Sequence, residues 1–149
     1  MCDVLKGFLA VKIAAYLAGA GHANVVLGSV LGAVACILGH NYTVWLKFKG
    51  GKGVATSAGV LLGLFPPLVI LSVLAIWLVV FFVGRYVSLA SICAAVCLPL
   101  AVLLLVPRLG ADFWLLFWFS VLIAALAVWR HRSNLVRLAN GTESRFTRR

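Results

Sequence analysis

Six apolar stretches dominate this chain, at about 4–20, 24–40, 54–66, 67–83, 87–106 and 112–129. A straight membrane span needs ~20 residues at ~1.5 Å rise each, with a working range of about 17–25. Hydrophobic residues make up 64% of the 149, and the mean hydropathy is +1.15. A soluble domain could not hide that much apolar surface, because its exterior must be largely polar. A bilayer removes the conflict. The fold is therefore read as an all-α, polytopic membrane helix bundle of about six transmembrane helices. Residues 1–149 form one integral-membrane domain, and 130–149 form a cytoplasmic interfacial tail. The third stretch is short, and Pro66-Pro67 breaks the chain after it. Stretches three and four are expected to form a tight hairpin within the membrane or a re-entrant pair.

Loop charges orient the spans, since Lys and Arg concentrate on the cytoplasmic side. With the C-terminus inside, the cytoplasmic face holds Lys6, Lys47, Lys49, Lys52, Arg85, Arg130, Arg132, Arg137, Arg145, Arg148 and Arg149, and the opposite face only Arg108. Both termini then lie inside. Lys12 falls within the first span and is not counted. Trp45, Trp114, Trp118 and Trp129 sit near span ends, where indole suits the interface. Gly28 and Gly32 make a GxxxG, a pattern that allows close helix contact.

Thirteen basic residues against three acids leave a net charge of +10. The basic residues sit in short loops between spans, which argues against nucleic acid. Topology accounts for most of them, and an anionic substrate is the sharper reading. Cys36, Cys93 and Cys97 lie in apolar runs, and no His or acid in the run of Cys93 and Cys97 completes a metal set, so reduced thiols are expected and no metal. The apolar run begins directly after Cys2 and Asp3, without the basic region of a signal peptide.

The most informative segment runs from Gly39-His40 to Phe48-Lys49-Gly50-Gly51-Lys52-Gly53-Val54-Ala55-Thr56. Glycine permits positive φ, so successive backbone N–H groups can point into one concavity. The following helix adds its unpaired N–H groups and the positive end of its dipole. Lys49 and Lys52 add full charges, and the whole suits a phosphate or acyl-phosphate oxyanion. It is not a nucleotide-binding P-loop, because Gly53 rather than Ser or Thr follows Lys52 and no strand precedes it. The bland alternative is a basic loop serving topology alone. His40 ends a membrane helix beside this loop and is a candidate on that account.

A second segment, Trp129 to Glu143, reads as a short interfacial helix stopped by Asn140-Gly141. His131 and Asn134 share a face, with Arg137 displaced around the helix. A basic amphipathic tail held by anionic lipid is the plain reading. Glu143 stands among arginines and is expected chiefly to pair with one and fix the tail. Arg85, Ser88 and Ser91 mark another inside end, where serine usually caps a helix.

Glycine loop and tail together resemble the bacterial acyl-phosphate-dependent glycerol-3-phosphate acyltransferases. The loop match is highly specific. Arg130-His131-Arg132-Ser133-Asn134-Leu135-Val136-Arg137-Leu138 with Gly141-Thr142-Glu143 is similar to the family's closing motif. The resemblance covers the whole chain and implies a fold of seven spans. It also implies a first motif of Ser-Gly-Asn type, which no segment here matches; Leu5-Lys6-Gly7 looks like the span that follows it.

The implied reaction moves a fatty acyl group from acyl phosphate to the 1-hydroxyl of glycerol 3-phosphate, giving lysophosphatidic acid and phosphate. Lys52, His131 and Asn134 are the catalytic candidates. Lys49, Gly50, Gly51, Gly53 and Thr56 are candidates for holding acyl phosphate, with His40, Ser88, Arg137 and Glu143 in support. No cofactor is implied. Membrane lipid and the enzyme that makes acyl phosphate are the implied partners, and the bacterial plasma membrane the implied location, with the site facing the cytoplasm. The acyl-CoA-dependent enzymes place Asp five residues after His; here those positions hold Leu27, Trp45 and Val136. A small anion transporter or channel, or a non-catalytic fragment of the acyltransferase, are the alternatives.

Overall fold

The computed structural model describes residues 2–43, 50–107 and 111–147. Seven helices follow one another: α1 (Cys2–Ala20), α2 (Val25–Asn41), α3 (Val54–Leu64), α4 (Pro67–Gly84), α5 (Val87–Leu105), α6 (Ala111–Arg130) and α7 (Arg132–Ala139). No strand occurs among the described residues. The first six helices coincide with the six apolar stretches to within a few residues, and the protein is an all-α, multi-pass membrane protein. By length and composition, α4, α5 and Asp112–Arg130 of α6 can each cross a membrane. The chain divides into two compact units, Met1–Pro67 with Leu109–Leu115, and Leu68–Arg108 with Leu116–Arg149.

In the first unit, α1 packs on both α2 and α3. The GxxxG of α2 meets a stripe of small residues on α1. A methyl group on Gly28 would lie 2.5 Å from Cβ of Ala18, and one on Gly32 would lie 2.5 Å from Cβ of Ala14. Small residues on both partners let the backbones approach, which is how helices gain packing energy where lipid offers no hydrophobic drive. Asn24 caps α2, its side chain accepting from the Leu27 amide at 2.7 Å and donating to Asp112 Oδ1 at 3.1 Å.

On its other side α1 runs parallel to α3. Gly59 sits against the Val4 carbonyl, and Gly63 against Val11. With 11 residues, α3 is about 16 Å long, roughly half the hydrocarbon thickness of a bilayer. Its end therefore reaches only the middle of α1, where Lys12 Nζ donates to the Gly63 carbonyl at 3.0 Å. That bond satisfies one of the carbonyls a helix end leaves open. Lys12 also lies 5.5 Å from the centroid of the Phe8 ring. A lysine that topology could not use thus closes a short helix.

In the second unit, α5 contributes the buried residues Ala90, Ala94, Leu98, Ala101 and Val102, and α6 contributes Phe119, Ile123 and Ala124. Ser88 and Ser91 do not cap α5. Its N-cap is Tyr86, with no side-chain bond. Ser91 returns its hydroxyl to the Val87 carbonyl at 2.8 Å and accepts from Trp77 Nε1 at 3.2 Å. The helix α7 stops where the sequence places its stop: Gly141 has φ +69, and the Thr142 amide donates to the Arg137 carbonyl at 2.8 Å.

Candidate active site

The first cluster lies where α2 ends and α3 begins. The Thr43 hydroxyl is 3.0 Å from the carbonyls of Gly39 and His40, closing the end of α2. Lys49 lies outside the described residues, as do Lys47 and Trp45. The chain then returns through Gly50 against the end of α2. A methyl group on Gly50 would collide with the His40 carbonyl, and one on Gly51 would lie 2.6 Å from His40 Nε2. At Gly53 the position is taken by the Asn41 amide oxygen. Only Gly53 has positive φ, at +75, and it forms the N-cap of α3. Positive φ was the expected reason for all three glycines; for Gly50 and Gly51 the reason is close approach.

Asn41 is 1% exposed and Thr56 is fully buried; Asn41 Oδ1 and Thr56 Oγ1 have no hydrogen-bond partner among the described residues. Lys52 is exposed and forms no ion pair there. His40 Nδ1 lies 3.1 Å from Lys6 Nζ and 3.6 Å from Asp3 Oδ1, and Lys6 and Asp3 pair at 2.8 Å. Asn41, Asp3 and Lys6 were not anticipated. Asn41 adjoins His40 in the informative segment, but nothing in the order of residues tells that the loop folds back on it.

The second cluster centres on Glu143. One carboxylate oxygen accepts from Ser88 Oγ at 2.6 Å and from Asn134 Nδ2 at 2.6 Å. The other accepts from Arg137 Nε at 2.7 Å. The carboxylate side chain is only 7% exposed. Hydrogen bonds from Ser88 and Asn134, then the bond and charge of Arg137, hold its pKa down to about 2 against burial. An ionised carboxylate only accepts, so the Asn134 amide turns its NH₂ to Glu143 and directs Oδ1 elsewhere. That oxygen is buried, with no partner among the described residues.

His131 links α6 to α7 and is 2% exposed, as is Asn134. Its Nδ1 lies 2.8 Å from the Ala127 carbonyl. A carbonyl cannot donate, so Nδ1 carries the hydrogen of this bond. The residues after Glu143 run over the turn between α4 and α5. The Phe146 amide donates to the Arg85 carbonyl at 2.8 Å, and Arg145 Nε donates to the Tyr86 hydroxyl at 2.8 Å. Arg85 itself has φ +58, a conformation costing a non-glycine residue about 1–2 kcal/mol. Arg145 and Tyr86 carry no sequence signal beyond their charge and ring. Among the described residues no three His, Cys, Asp or Glu groups gather to hold a metal.

The family model described as glycerol-3-phosphate acyltransferase matches residues 1–141. A glycerol-3-phosphate acyltransferase of Thermoanaerobacter sp. (strain X514) is 44% identical over 97% of this chain and 67% of its own length. That of Gloeobacter violaceus is 48% identical over 97% and 67%. The chain thus spans about two thirds of these relatives. Among solved structures, PlsY (YgiH), an integral membrane glycerol 3-phosphate acyltransferase in its glycerol 3-phosphate form, superposes with a TM-score of 0.79 at 37% identity, covering 97% of this chain and 68% of that one. Its lysophosphatidic acid form gives 0.78 at the same 37% identity, covering 97% and 69%. This chain therefore belongs to the glycerol-3-phosphate acyltransferase family of integral membrane proteins.

Proposed function

We propose that this protein transfers a fatty acyl group from acyl phosphate to the 1-hydroxyl of glycerol 3-phosphate, forming lysophosphatidic acid and inorganic phosphate. It does so at the cytoplasmic face of the bacterial plasma membrane. Lys52 and the Gly50–Gly53 amides hold the acyl phosphate and its leaving phosphate, with Lys49 and the buried Thr56 hydroxyl adding donors. His40, packed under Gly51, supports the loop. His131 and Asn134 orient glycerol 3-phosphate, and the Asn134 oxygen accepts from a substrate hydroxyl. Glu143 keeps Ser88, Asn134 and Arg137 in place by its three hydrogen bonds.

The substrate hydroxyl oxygen attacks the acyl carbonyl carbon. A carbon–oxygen bond forms to glycerol, and the bond from the carbonyl carbon to the phosphate oxygen breaks. The hydroxyl proton passes to a substrate phosphate oxygen or to His131 Nε2. Catalysis is mainly positioning and stabilisation of charge.

The observation that carries this reading is the chemistry of the two clusters: amides, hydroxyls, lysine and arginine at helix ends, in a chain with only three acids. Such groups ligate phosphoryl oxygens, and both substrates bear phosphate. The test is acyl transfer from palmitoyl phosphate in liposomes, run beside a phosphate flux assay. Lys52→Ala is expected to abolish transfer with membrane insertion unchanged. Near-normal turnover in that variant removes Lys52 from the site, and flux without transfer makes the protein a transporter. His131→Ala lowers the rate; loss of its alkaline-favoured pH limb identifies His131 as the base, and an unshifted profile leaves that role to the phosphate.

A further inference from the structure

We propose that the second unit carries a lipid site, in which one acyl chain of an anionic membrane phospholipid lies in a groove and its headgroup phosphate meets Arg132. The groove has a volume of about 540 Å³ and is lined by residues that include Val96 of α5, Ala124, Ala125 and Val128 of α6, and Arg132 and Leu135 of α7. The concavity comes from the two alanines, which leave room between larger neighbours. Its lining is otherwise apolar, and α5 and α6 are both long enough to span a membrane, so the medium that fills it is lipid.

Arg132 is the one charged residue in the lining. Its guanidinium lies 4.7 Å from the Trp129 ring centroid, and Nη1 donates to the Trp129 carbonyl at 3.1 Å. Stacking and hydrogen bond together fix the side chain. No carboxylate pairs with it among the described residues. A guanidinium carries five N–H donors in a planar fork that matches phosphate. A fixed cation at the rim of an apolar groove has the charge and shape of a phospholipid's two ends.

The groove is distinct from the Glu143 cluster. His131 and Asn134 are buried, whereas Arg132 and Leu135, one residue further on in each case, are exposed on another side of α7. A ligand on Arg132 thus leaves those two side chains untouched.

The test uses the chain in phosphatidylcholine nanodiscs with a trace of photoactivatable phosphatidylglycerol or photoactivatable phosphatidylcholine. Labelled peptides are mapped by mass spectrometry. The anionic probe is expected to label peptides containing Val96 and Ala124–Val128 in preference to the zwitterionic one. Arg132→Gln should cut that labelling about fivefold, the effect of removing one basic residue from an anionic surface, and Arg132→Lys should retain most of it. Ala125→Trp fills the groove and should remove it. Equal labelling by the two probes overturns the proposal and leaves ordinary boundary lipid; that comparison needs no variant. Unchanged labelling in a folded Arg132→Gln overturns it too. Displacement of the label by palmitoyl phosphate but not by phosphatidylglycerol assigns the groove to a substrate chain instead.

Discussion

Around the end of α2, the glycine loop is held by what its residues lack, whereas around Glu143 the tail is held by what one residue adds. Gly50, Gly51 and Gly53 bring backbone against His40 and Asn41 because no Cβ intervenes. Glu143 instead gathers Ser88, Asn134 and Arg137 by three hydrogen bonds at 2.6–2.7 Å. The two clusters should therefore fail differently. The loop is broken by added atoms. The tail is broken by removed atoms or by protonation.

The largest expected effect is at Gly50. Its obstruction is backbone, the His40 carbonyl, which cannot swing aside. Gly50→Ala should destabilise the first unit by about 1–3 kcal/mol, the usual cost of overpacking, and reduce acyl transfer more than tenfold. A variant with wild-type melting and turnover would show that the loop is not seated on α2. Next comes Glu143→Ala, which strands three donors. A loss of about 1–3 kcal/mol in unfolding free energy is expected, with faster hydrogen exchange at the Thr142 and Phe146 amides. Glu143→Gln should lose less, since it keeps an acceptor. Unaltered exchange in Glu143→Ala would mean the tail is held elsewhere.

A pH titration probes the Glu143 cluster directly. The Glu143 pKa is lowered from 4.5 to about 2, so the folded state binds its proton more weakly than the unfolded chain. Its contribution is then complete above about pH 4.5 and disappears as the pH falls through about 2. Protection of the Phe146 amide should hold down to that window and then collapse. Collapse already near pH 5 would contradict the hydrogen-bonded carboxylate. The smallest effect is expected at Gly51, where the nearest atoms to an added methyl belong to the His40 ring. Gly51→Ala should cost less than Gly50→Ala, and His40→Ala in the same chain should restore its melting temperature.

The helices were legible because a bilayer makes apolar run length nearly sufficient; α4 to α6 needed little else. The third span was legible only as a short one. What meets its open carbonyl at Gly63 is Lys12, which is distant in sequence and, to a topological reading, merely out of place. Candidate residues were legible by type: the loop glycines, Ser88, His131, Asn134, Arg137 and Glu143. Their partners were not. Ser88 looked like a helix cap, yet its hydroxyl goes to Glu143, 55 residues away. Asn41 gave no signal, because the contact that buries it is made by a glycine.

Order of residues alone thus determined a membrane bundle, its helix boundaries and the chemical kinds of group gathered at helix ends. Hydropathy and local backbone preference act over one or two turns, and those properties need no more. Which donor meets which acceptor, why Gly50 must be glycine, and what Lys12 is for were decided only by tertiary structure. Each of these depends on segments far apart in the chain coming within a few ångströms, and packing alone brings them there.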